Sequence, residues 1–188
     1  MSGMLLLGVA GSAAKSHRTR ALVELALSGA AELPDVETHL VDLAETAIDF
    51  PDGRPVEAYS PATREVLELV QQAGAYVLGT PMYRGGMTGA LKNLIDVIPK
   101  EYVAGKAAGL VATGASQHHY LGVDLGLRTA MAFFQVHVVP AVLYGANFEL
   151  VDGKPDDEQL VAQALQLGRD VVELERATAG KALGPTLF

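Results

Sequence analysis

The stretch "AYVLGTPMYRGGMTGALKNLIDVIP", residues 75–99, places a buried strand, a glycine-rich turn and a helix in immediate succession. Its first part, residues 75–80, is a short apolar run that is typical of a strand buried on both faces. After the glycines, four apolar residues recur at helical spacing: Leu91, Leu94, Ile95 and Ile98. Thr88 is suited to cap this helix and Pro99 to end it. A buried strand that turns directly into an amphipathic helix is the repeating unit of parallel α/β sheets.

The same alternation extends along the chain. The predicted strands are residues 4–10, 36–43, 75–80, 106–114 and 136–145, each followed by a predicted helix, and residues 152–155 are predicted as a turn before the last one. Strands that alternate with helices indicate a parallel sheet with right-handed crossovers. We therefore predict one domain over residues 1–188, an α/β protein with a flavodoxin-like three-layer α/β/α sandwich and a five-stranded parallel sheet in the order 2-1-3-4-5.

Composition excludes several classes of function. The 188 residues carry a net charge of -8, which argues against a broad nucleic-acid surface. No apolar run reaches the roughly 18 residues of a membrane span and the N-terminus has no basic region of a signal peptide, so we expect a cytoplasmic protein. With no cysteine, the chain has neither thiolate ligands nor a cysteine nucleophile, and any redox chemistry must come from a bound cofactor.

The loop "GSAAKSHRT", residues 11–19, is a basic patch on this acidic chain. Ser12, Ser16, Arg18 and Thr19 surround a predicted helix start, where free backbone N–H groups and the helix dipole favour an anion such as phosphate. The alternative is a solvated, capped helix start. The loop is neither a P-loop nor a dinucleotide-binding fingerprint, because both glycine patterns are absent.

Two further loops follow predicted neighbouring strands, residues 80–86 and 113–119. In the order 2-1-3-4-5, strands one, three and four are adjacent, so the three loops should line one crevice at the carboxyl ends of the strands. Gly85 and Gly86 permit close approach of an aromatic ligand, and Tyr83 adds a ring face. The alternative is a plain connector in which Met82 and Tyr83 fill the core.

No motif for acid–base, nucleophilic or metal chemistry is evident. The adjacent His118 and His119 point apart on most backbones and lack a carboxylate three or four residues away, so no metal site is predicted. No G-x-S-x-G elbow occurs, which disfavours hydrolysis. "GVAGS" after the first strand lacks the acidic pair of a phosphoacceptor receiver.

The chain resembles the NADPH-dependent FMN reductase family from Leu5 to about Glu175. The most specific residues follow the family pattern that begins with Thr-Pro: Thr80, Pro81, Tyr83, Gly89, Leu91, Lys92, Asn93, Ile95 and Asp96. "AGS" at 10–12 with "TRALVELA" at 19–26 is similar to the family's phosphate loop. Residues 110–128, "LVATGASQHHYLGVDLGLR", resemble the variant found in reductases that serve two-component monooxygenases.

The resemblance implies a reductase in which NADPH or NADH stacks over FMN and passes a hydride to the flavin N5, with no catalytic side chain. Three groups of residues are implied as the cofactor site: Ser12, Arg18 and Thr19, with Ser16 and His17 nearby, for the phosphate; Pro81, Met82, Tyr83, Arg84 and Gly85 for the ribityl chain and ring edge; and Thr113, Gly114 and Ser116 beside the ring. His119 stands where similar reductases carry a histidine. Arg18 and Arg84 are candidate contacts to the dinucleotide phosphates, and an exposed loop charge is the alternative for Arg84.

Four positions depart from the family's usual residues. Ala14 replaces an arginine of the phosphate loop, with Lys15 as a substitute beside it. Met82 and Arg84, on either side of Tyr83, replace the residues that are common at these two positions of the family pattern. Leu125 replaces a tyrosine that some monooxygenase-partner reductases carry, which weakens that narrower assignment.

The implied partners are a second copy of the chain and a flavin-dependent monooxygenase that receives reduced FMN. The helix at 120–134 is apolar on more than one face, which indicates a homodimer or homotetramer, or else a fully buried core helix. Two other functions remain open. One is a quinone or azo reductase on the same scaffold, and the other is a flavodoxin-type electron carrier without NAD(P)H activity.

Overall fold

Strands and helices alternate in the computed structural model, which describes residues 3–14, 17–117 and 120–185. The strands are β1 (Met4–Ala10), β2 (Val36–Asp42), β3 (Ala75–Pro81), β4 (Ala107–Gly114), β5 (His137–Val138), β6 (Leu143–Ala146), β7 (Leu150–Val151) and β8 (Lys154–Pro155). The helices are α1 (His17–Ala31), α2 (Pro61–Gln72), α3 (Gly89–Val97), α4 (Lys100–Val103), α5 (Tyr120–Phe133) and α6 (Glu158–Thr178).

The main sheet is parallel and runs in the order β2-β1-β3-β4-β5, with β6 also paired to β4. The predicted order 2-1-3-4-5 is therefore confirmed. β1, β3 and β4 lie in the middle and are buried on both faces over most of their length, as their continuous apolar runs indicated. β2 is an edge strand, and three of its seven residues are exposed.

The predicted fifth strand is broken into two pieces. β5 pairs with β4 at Ala107 and Ala108, and β6 resumes the pairing from Val111 onward. Pro140 lies in the break and has no N–H to donate to the sheet. Arg128 of α5 instead donates to the carbonyl oxygens of Val139 and Pro140.

The segment predicted as a simple turn at 152–155 forms a small hairpin. Leu150 pairs with Pro155 and Val151 with Lys154 in an antiparallel ladder. At the two residues between them, Asp152 and Gly153, φ is +49° and +79°, as a type I′ turn requires.

Helices α1 and α6 cover one face of the sheet and contact each other closely. A Cβ at Gly29 would overlap the backbone of Leu165, and a Cβ at Gly168 would overlap the carbonyl oxygen of Ala26. Glycine is therefore required at both positions, because the two helix backbones touch there.

Helices α2, α3 and α5 cover the other face. The inner side of α5 is buried through Val123, Leu127 and Met131. Its outer side leaves Leu125 at 69% and Phe133 at 62% exposed. The helix is thus core on one side and uncovered on the other. Among the described residues, none of the helices is both long and apolar enough to cross a membrane.

Candidate functional site

The three predicted loops meet at the carboxyl ends of β1, β3 and β4. These strands are direct neighbours, so the prediction of adjacent strands is confirmed. Two backbone hydrogen bonds join the segments beyond the strand ends: Gly11 N–H donates to Gly79 O at 2.7 Å, and Met82 N–H donates to Thr113 O at 2.7 Å. The chain therefore builds one continuous edge from residues far apart in sequence.

Buried threonines tie the first two loops together. Thr88 caps α3, as predicted, by accepting from Leu91 N–H at 3.1 Å. Its hydroxyl donates to Gly11 O, and its own N–H donates to Thr80 Oγ1 at 3.1 Å. Both threonines are at most 3% exposed, so water does not compete for these bonds. The start of α3, the end of β3 and the first loop therefore form one rigid floor.

The glycine-rich turn is a two-residue hairpin. Tyr83 and Gly86 exchange backbone hydrogen bonds of 3.0 and 3.1 Å. Arg84 and Gly85 between them have φ of +53° and +88°, again the type I′ pattern. Arg84 is a non-glycine residue in the left-handed region, a conformation that costs about 1–2 kcal/mol for most side chains. The glycine-rich turn of the sequence is therefore a defined hairpin.

The two side chains before the hairpin tip have different surroundings. Met82 is half-buried and packs on the core, as the connector alternative proposed. The side chain of Tyr83 is 50% exposed, so it does not fill the core. Arg84 is exposed at the tip.

The outer wall of the hairpin is open. A Cβ at Gly85 or Gly86 would meet no described atom within 4 Å, and the same holds for Gly89 at the start of α3. Behind the hairpin, Gly122 of α5 allows close approach, because a Cβ there would lie 2.8 Å from Met82 Cε and 3.1 Å from Gly85 O. The hairpin is thus backed by α5 and free in front, which leaves room for a flat ligand.

The first loop presents its polar groups at the start of α1. Ser12 is buried, and its Oγ accepts from Ala14 N–H at 3.2 Å and donates to Ala14 O at 3.1 Å. His17 is exposed at the first position of the helix, and the first turn contains no acidic residue. The positive end of the α1 dipole is therefore not neutralised within its own turn.

Arg18 contacts two residues that directly precede β7. Its Nη2 lies 2.6 Å from Glu149 Oε1, and its guanidinium lies 5.6 Å from the centre of the Phe148 ring. The side chains of Arg18 and Glu149 are 38% and 74% exposed. Arg18 is thus held in place while remaining accessible to solvent.

The third loop is supported from below. Thr19 and Thr113 are both buried, and their hydroxyl oxygens share a hydrogen bond of 2.7 Å. Tyr144 Oη donates to Ser116 O at 2.7 Å and would overlap a Cβ at Gly114. Burial raises the pKa of Tyr144, so its hydroxyl stays protonated and keeps donating. This tyrosine positions the loop beside β4.

The structure brings most of the predicted site residues together but gives them different tasks. Pro81 ends β3 and lies beside Thr113 in the sheet. Thr19 and Thr113 use their hydroxyl groups on each other, so we assign them to positioning rather than to direct ligand contact. Ser16, and also His119, lie outside the described residues.

Sequence reasoning did not identify Tyr144, Phe148 or Glu149. No local signal marks them, because each acts on a loop at least 28 positions away. Within the described part of the chain, no group of three or more His, Asp and Glu side chains is placed to hold a metal ion.

Comparison with known proteins gives three consistent likenesses. Residues 4–149 match the family model described as NADPH-dependent FMN reductase. An NAD(P)H-dependent FAD/FMN reductase of Geobacillus thermodenitrificans is 38% identical over 167 residues, which cover 85% of this chain and 89% of the relative. An FMN-dependent NADPH-azoreductase of Staphylococcus haemolyticus is 34% identical over 115 residues, 59% of each chain.

Among solved structures, the apo form of the NADH:FMN oxidoreductase EMOB superposes with a TM-score of 0.73 at 24% identity, over 93% of this chain and 89% of that chain. At this identity the likeness describes the fold alone. It agrees with the sheet order given above.

Proposed function

The chain belongs to the NADPH-dependent FMN reductase family, and we propose that it transfers a hydride from NADPH or NADH to FMN. One observation carries the proposal for the site. The open glycine wall, which is the face of the 83–86 hairpin at Gly85 and Gly86, lies at the same edge of the sheet as the start of α1 with the cation Arg18. The residues present fit FMN, because that molecule has a flat ring at one end and a phosphate at the other.

The phosphate end of the proposed site is the start of α1. The first-turn N–H groups of a helix have no partner within the helix itself, and together with the helix dipole they favour an anion at this end. Arg18 adds a guanidinium that can contact phosphate through two N–H groups. Ser12 Oγ can turn from Ala14 O toward the same anion, because a hydroxyl rotates at little cost.

The ring end is the wall formed by the 83–86 hairpin and the 114–116 loop. Gly85 and Gly86 let the ring approach the backbone. The N–H of Gly86 donates to Tyr83 O within the hairpin, so we assign the N–H of Gly85 to the ring edge where negative charge develops. The chain's task is to hold two flat rings in contact and to exclude water between them. FMN, when bound, supplies the redox chemistry, so no side chain has to act as acid or base.

The test is anaerobic mixing of the purified protein with FMN and either nicotinamide nucleotide, following the loss of NAD(P)H and flavin absorbance together. We expect both signals to fall in equal amounts. Binding of FMN without oxidation of either nucleotide would show a flavodoxin-type carrier instead.

A variant ties the activity to the glycine wall. Gly86→Val adds a side chain where no described atom lies within 4 Å, so it should leave the fold intact and obstruct only the ring. Ala177→Val on α6 is the control, since Ala177 is exposed and belongs neither to this wall nor to the outer face of α5. Full turnover by the Gly86 variant would exclude this wall as the ring site.

A second candidate is an azo or quinone reductase that keeps FMN bound. It is favoured by the 34% identity to an azoreductase. The two functions separate when FMN is supplied in trace amounts with an excess of azo dye or quinone. Turnover of the dye without net release of reduced FMN supports the second candidate.

We also propose that a second copy of this chain covers the outer face of α5. The exposed Leu121, Leu125 and Phe133 lie at helical spacing on that face, and a groove of about 550 Å³ runs between α3 and α5. Exposed apolar surface of this kind is typical of an interface between subunits. Sedimentation velocity should show a dimer or a tetramer, and a monomer at micromolar concentration would contradict the proposal.

Finally, we propose that reduced FMN leaves the site and serves a flavin-dependent monooxygenase in the cytoplasm. Support comes from the resemblance of residues 110–128 to reductases that work in this way. In a coupled assay, the monooxygenase should turn over when it is separated from the reductase by a membrane that passes only small molecules. No turnover across the membrane would contradict release of free flavin.

A further inference from the structure

Glu149 is paired with the cation that the proposed site offers to the phosphate of FMN. Its carboxylate lies 2.6 Å from Arg18 Nη2, and Arg18 is the described cation at the start of α1. Phosphate and carboxylate compete for a guanidinium because both accept from the same pair of N–H groups. Binding of FMN through Arg18 therefore requires this ion pair to open or to share its donors.

The position of Glu149 is fixed by its surroundings. The neighbouring Phe148 is 3% exposed, and a Cβ at Gly145 would lie 2.6 Å from its ring. The backbone of Glu149 exchanges two 3.0 Å hydrogen bonds with Asp156, from Glu149 N–H to the carboxylate and from Asp156 N–H to Glu149 O. The side chain of Glu149 is exposed, but its fixed backbone keeps the carboxylate within reach of Arg18.

We infer that Glu149 lowers the affinity for FMN by competing with the phosphate for Arg18, and so keeps FMN an exchangeable substrate. The inference rests on the proposed function. An exposed ion pair is weak enough to open, and the displaced carboxylate still repels the phosphate over a short distance. The combined effect is an affinity for FMN that is about three- to ten-fold weaker than the same site would have without the carboxylate.

The inference is tested with Glu149→Gln, which removes the charge and keeps the size of the side chain. The dissociation constants of FMN and riboflavin are measured by quenching of flavin fluorescence. We expect FMN to bind about three- to ten-fold more tightly and riboflavin, which lacks the phosphate, to bind as before. A role limited to folding would change both flavins alike.

Asp152→Asn is the matched control. It removes the same charge from the tip of the β7–β8 hairpin, which follows Glu149 directly, at a residue with φ of +49° that asparagine tolerates well. No hydrogen bond or ion pair of Asp152 occurs among the described residues. We expect its FMN affinity to stay within two-fold of the parent's by the small size of exposed charge effects.

Arg18→Gln completes the cycle. In that background, Glu149→Gln should no longer tighten FMN, because the group for which the two anions compete is gone. Unchanged FMN affinity in Glu149→Gln, equal tightening of riboflavin, or equal tightening in Asp152→Asn would each overturn the inference. Oxidation of NAD(P)H by the parent chain is measured alongside. If the parent does not oxidise the nucleotide, the proposed function is wrong. If it does, and Glu149→Gln leaves the affinity for FMN unchanged, only the inference is wrong.

Discussion

The two helical layers differ in how completely their helices are covered within the chain. On one face of the sheet, α1 and α6 touch each other through Gly29 and Gly168, and no side chain fits between their backbones. On the other face, α5 buries its inner side and leaves Leu125 and Phe133 exposed. The first layer satisfies its own packing within one chain, and the second presents apolar surface to whatever lies outside.

The difference shows that glycines allow close packing within the chain, whereas the exposed apolar side chains offer a surface to a partner. In the α1–α6 contact, stability comes from close backbone approach, so any added atom has to disrupt it. On α5, a Cβ at Gly126 would meet open space, and the large side chains of Leu125 and Phe133 are exposed. Substitutions in the α1–α6 contact should therefore lower the stability of the folded chain. Substitutions on the outer face of α5 should leave that stability nearly unchanged and instead weaken the association between chains.

The largest effect is expected from Gly168→Ala. The new methyl group would overlap Ala26 O, and a backbone carbonyl cannot move aside as a flexible side chain can. The loss should be about 3 kcal/mol or more, at the upper end of overpacking effects. Urea unfolding measures it from the midpoint at constant slope, and a loss under 1 kcal/mol would mean that the α1–α6 contact is not as close as described.

Leu125→Glu tests the other layer. A charge at the centre of the α5 face should weaken association by about thirty-fold or more, the effect of losing one strong interface residue. Sedimentation at several concentrations measures this. Val151→Glu is the control, because Val151 is 61% exposed but lies on the β7–β8 hairpin. Equal loss of association in both variants would count against α5 as the interface.

Gly126→Ala should have the opposite sign from Gly168→Ala. Its Cβ lies in open space within α5, so alanine should stabilise the helix by about 0.5–1 kcal/mol. The measurement is made in the Leu125→Glu background, where no second copy interferes. Destabilisation there would contradict the contrast between the two layers.

Arg169→Gln removes an ion pair that also joins the first layer. Arg169 Nη2 lies 2.5 Å from Glu32 Oε2, and both side chains reach solvent. Exposed pairs contribute roughly 0.2–1 kcal/mol, so the midpoint of unfolding should hardly move. A loss as large as that of Gly168→Ala would assign the stability of this layer to charge rather than packing.

The smallest effect concerns pH and Glu175 on α6. Burial raises the pKa of Glu175, and a hydrogen bond from Ala107 N–H at 2.8 Å opposes the shift. The folded protein then binds its proton more tightly than the unfolded chain, so the stability from this group is complete below pH 4.5 and is lost as pH rises through the folded-state pKa. Glu175→Gln should flatten that part of the pH profile of unfolding, and an unchanged profile would contradict the burial of this carboxyl.

Much of the fold was predictable because its signals are local. β1, β3 and β4 are continuous apolar runs, and the helices between them show regular spacing, so a doubly wound parallel sheet was predictable. The order 2-1-3-4-5 was chosen as the most economical arrangement for this number of strands, and the structure confirms it. The break at Pro140 was missed because the residues on both sides are apolar and read as one strand. The β7–β8 hairpin was missed because strands of two residues have no periodicity.

The meeting of the three candidate loops was predictable, but the contacts between them were not. The rule that ligands bind beyond the carboxyl ends of parallel strands selected all three loops. However, Arg18 meets Glu149 across 131 positions and Thr19 meets Thr113 across 94, and no local pattern records such pairs. The sequence therefore indicated which loops lie together and left open whether their side chains face a ligand or each other.

The interruption of the last strand also affects behaviour in concentrated solution. An unbroken edge strand offers a row of free N–H and C=O groups to any other strand, which is a common start of aggregation. Here Pro140 removes a donor, and Arg128 occupies the carbonyl oxygens of Val139 and Pro140. At the opposite edge, β2 exposes Glu37 and His39. Both edges of the sheet therefore carry features that disfavour pairing with a strand of another molecule.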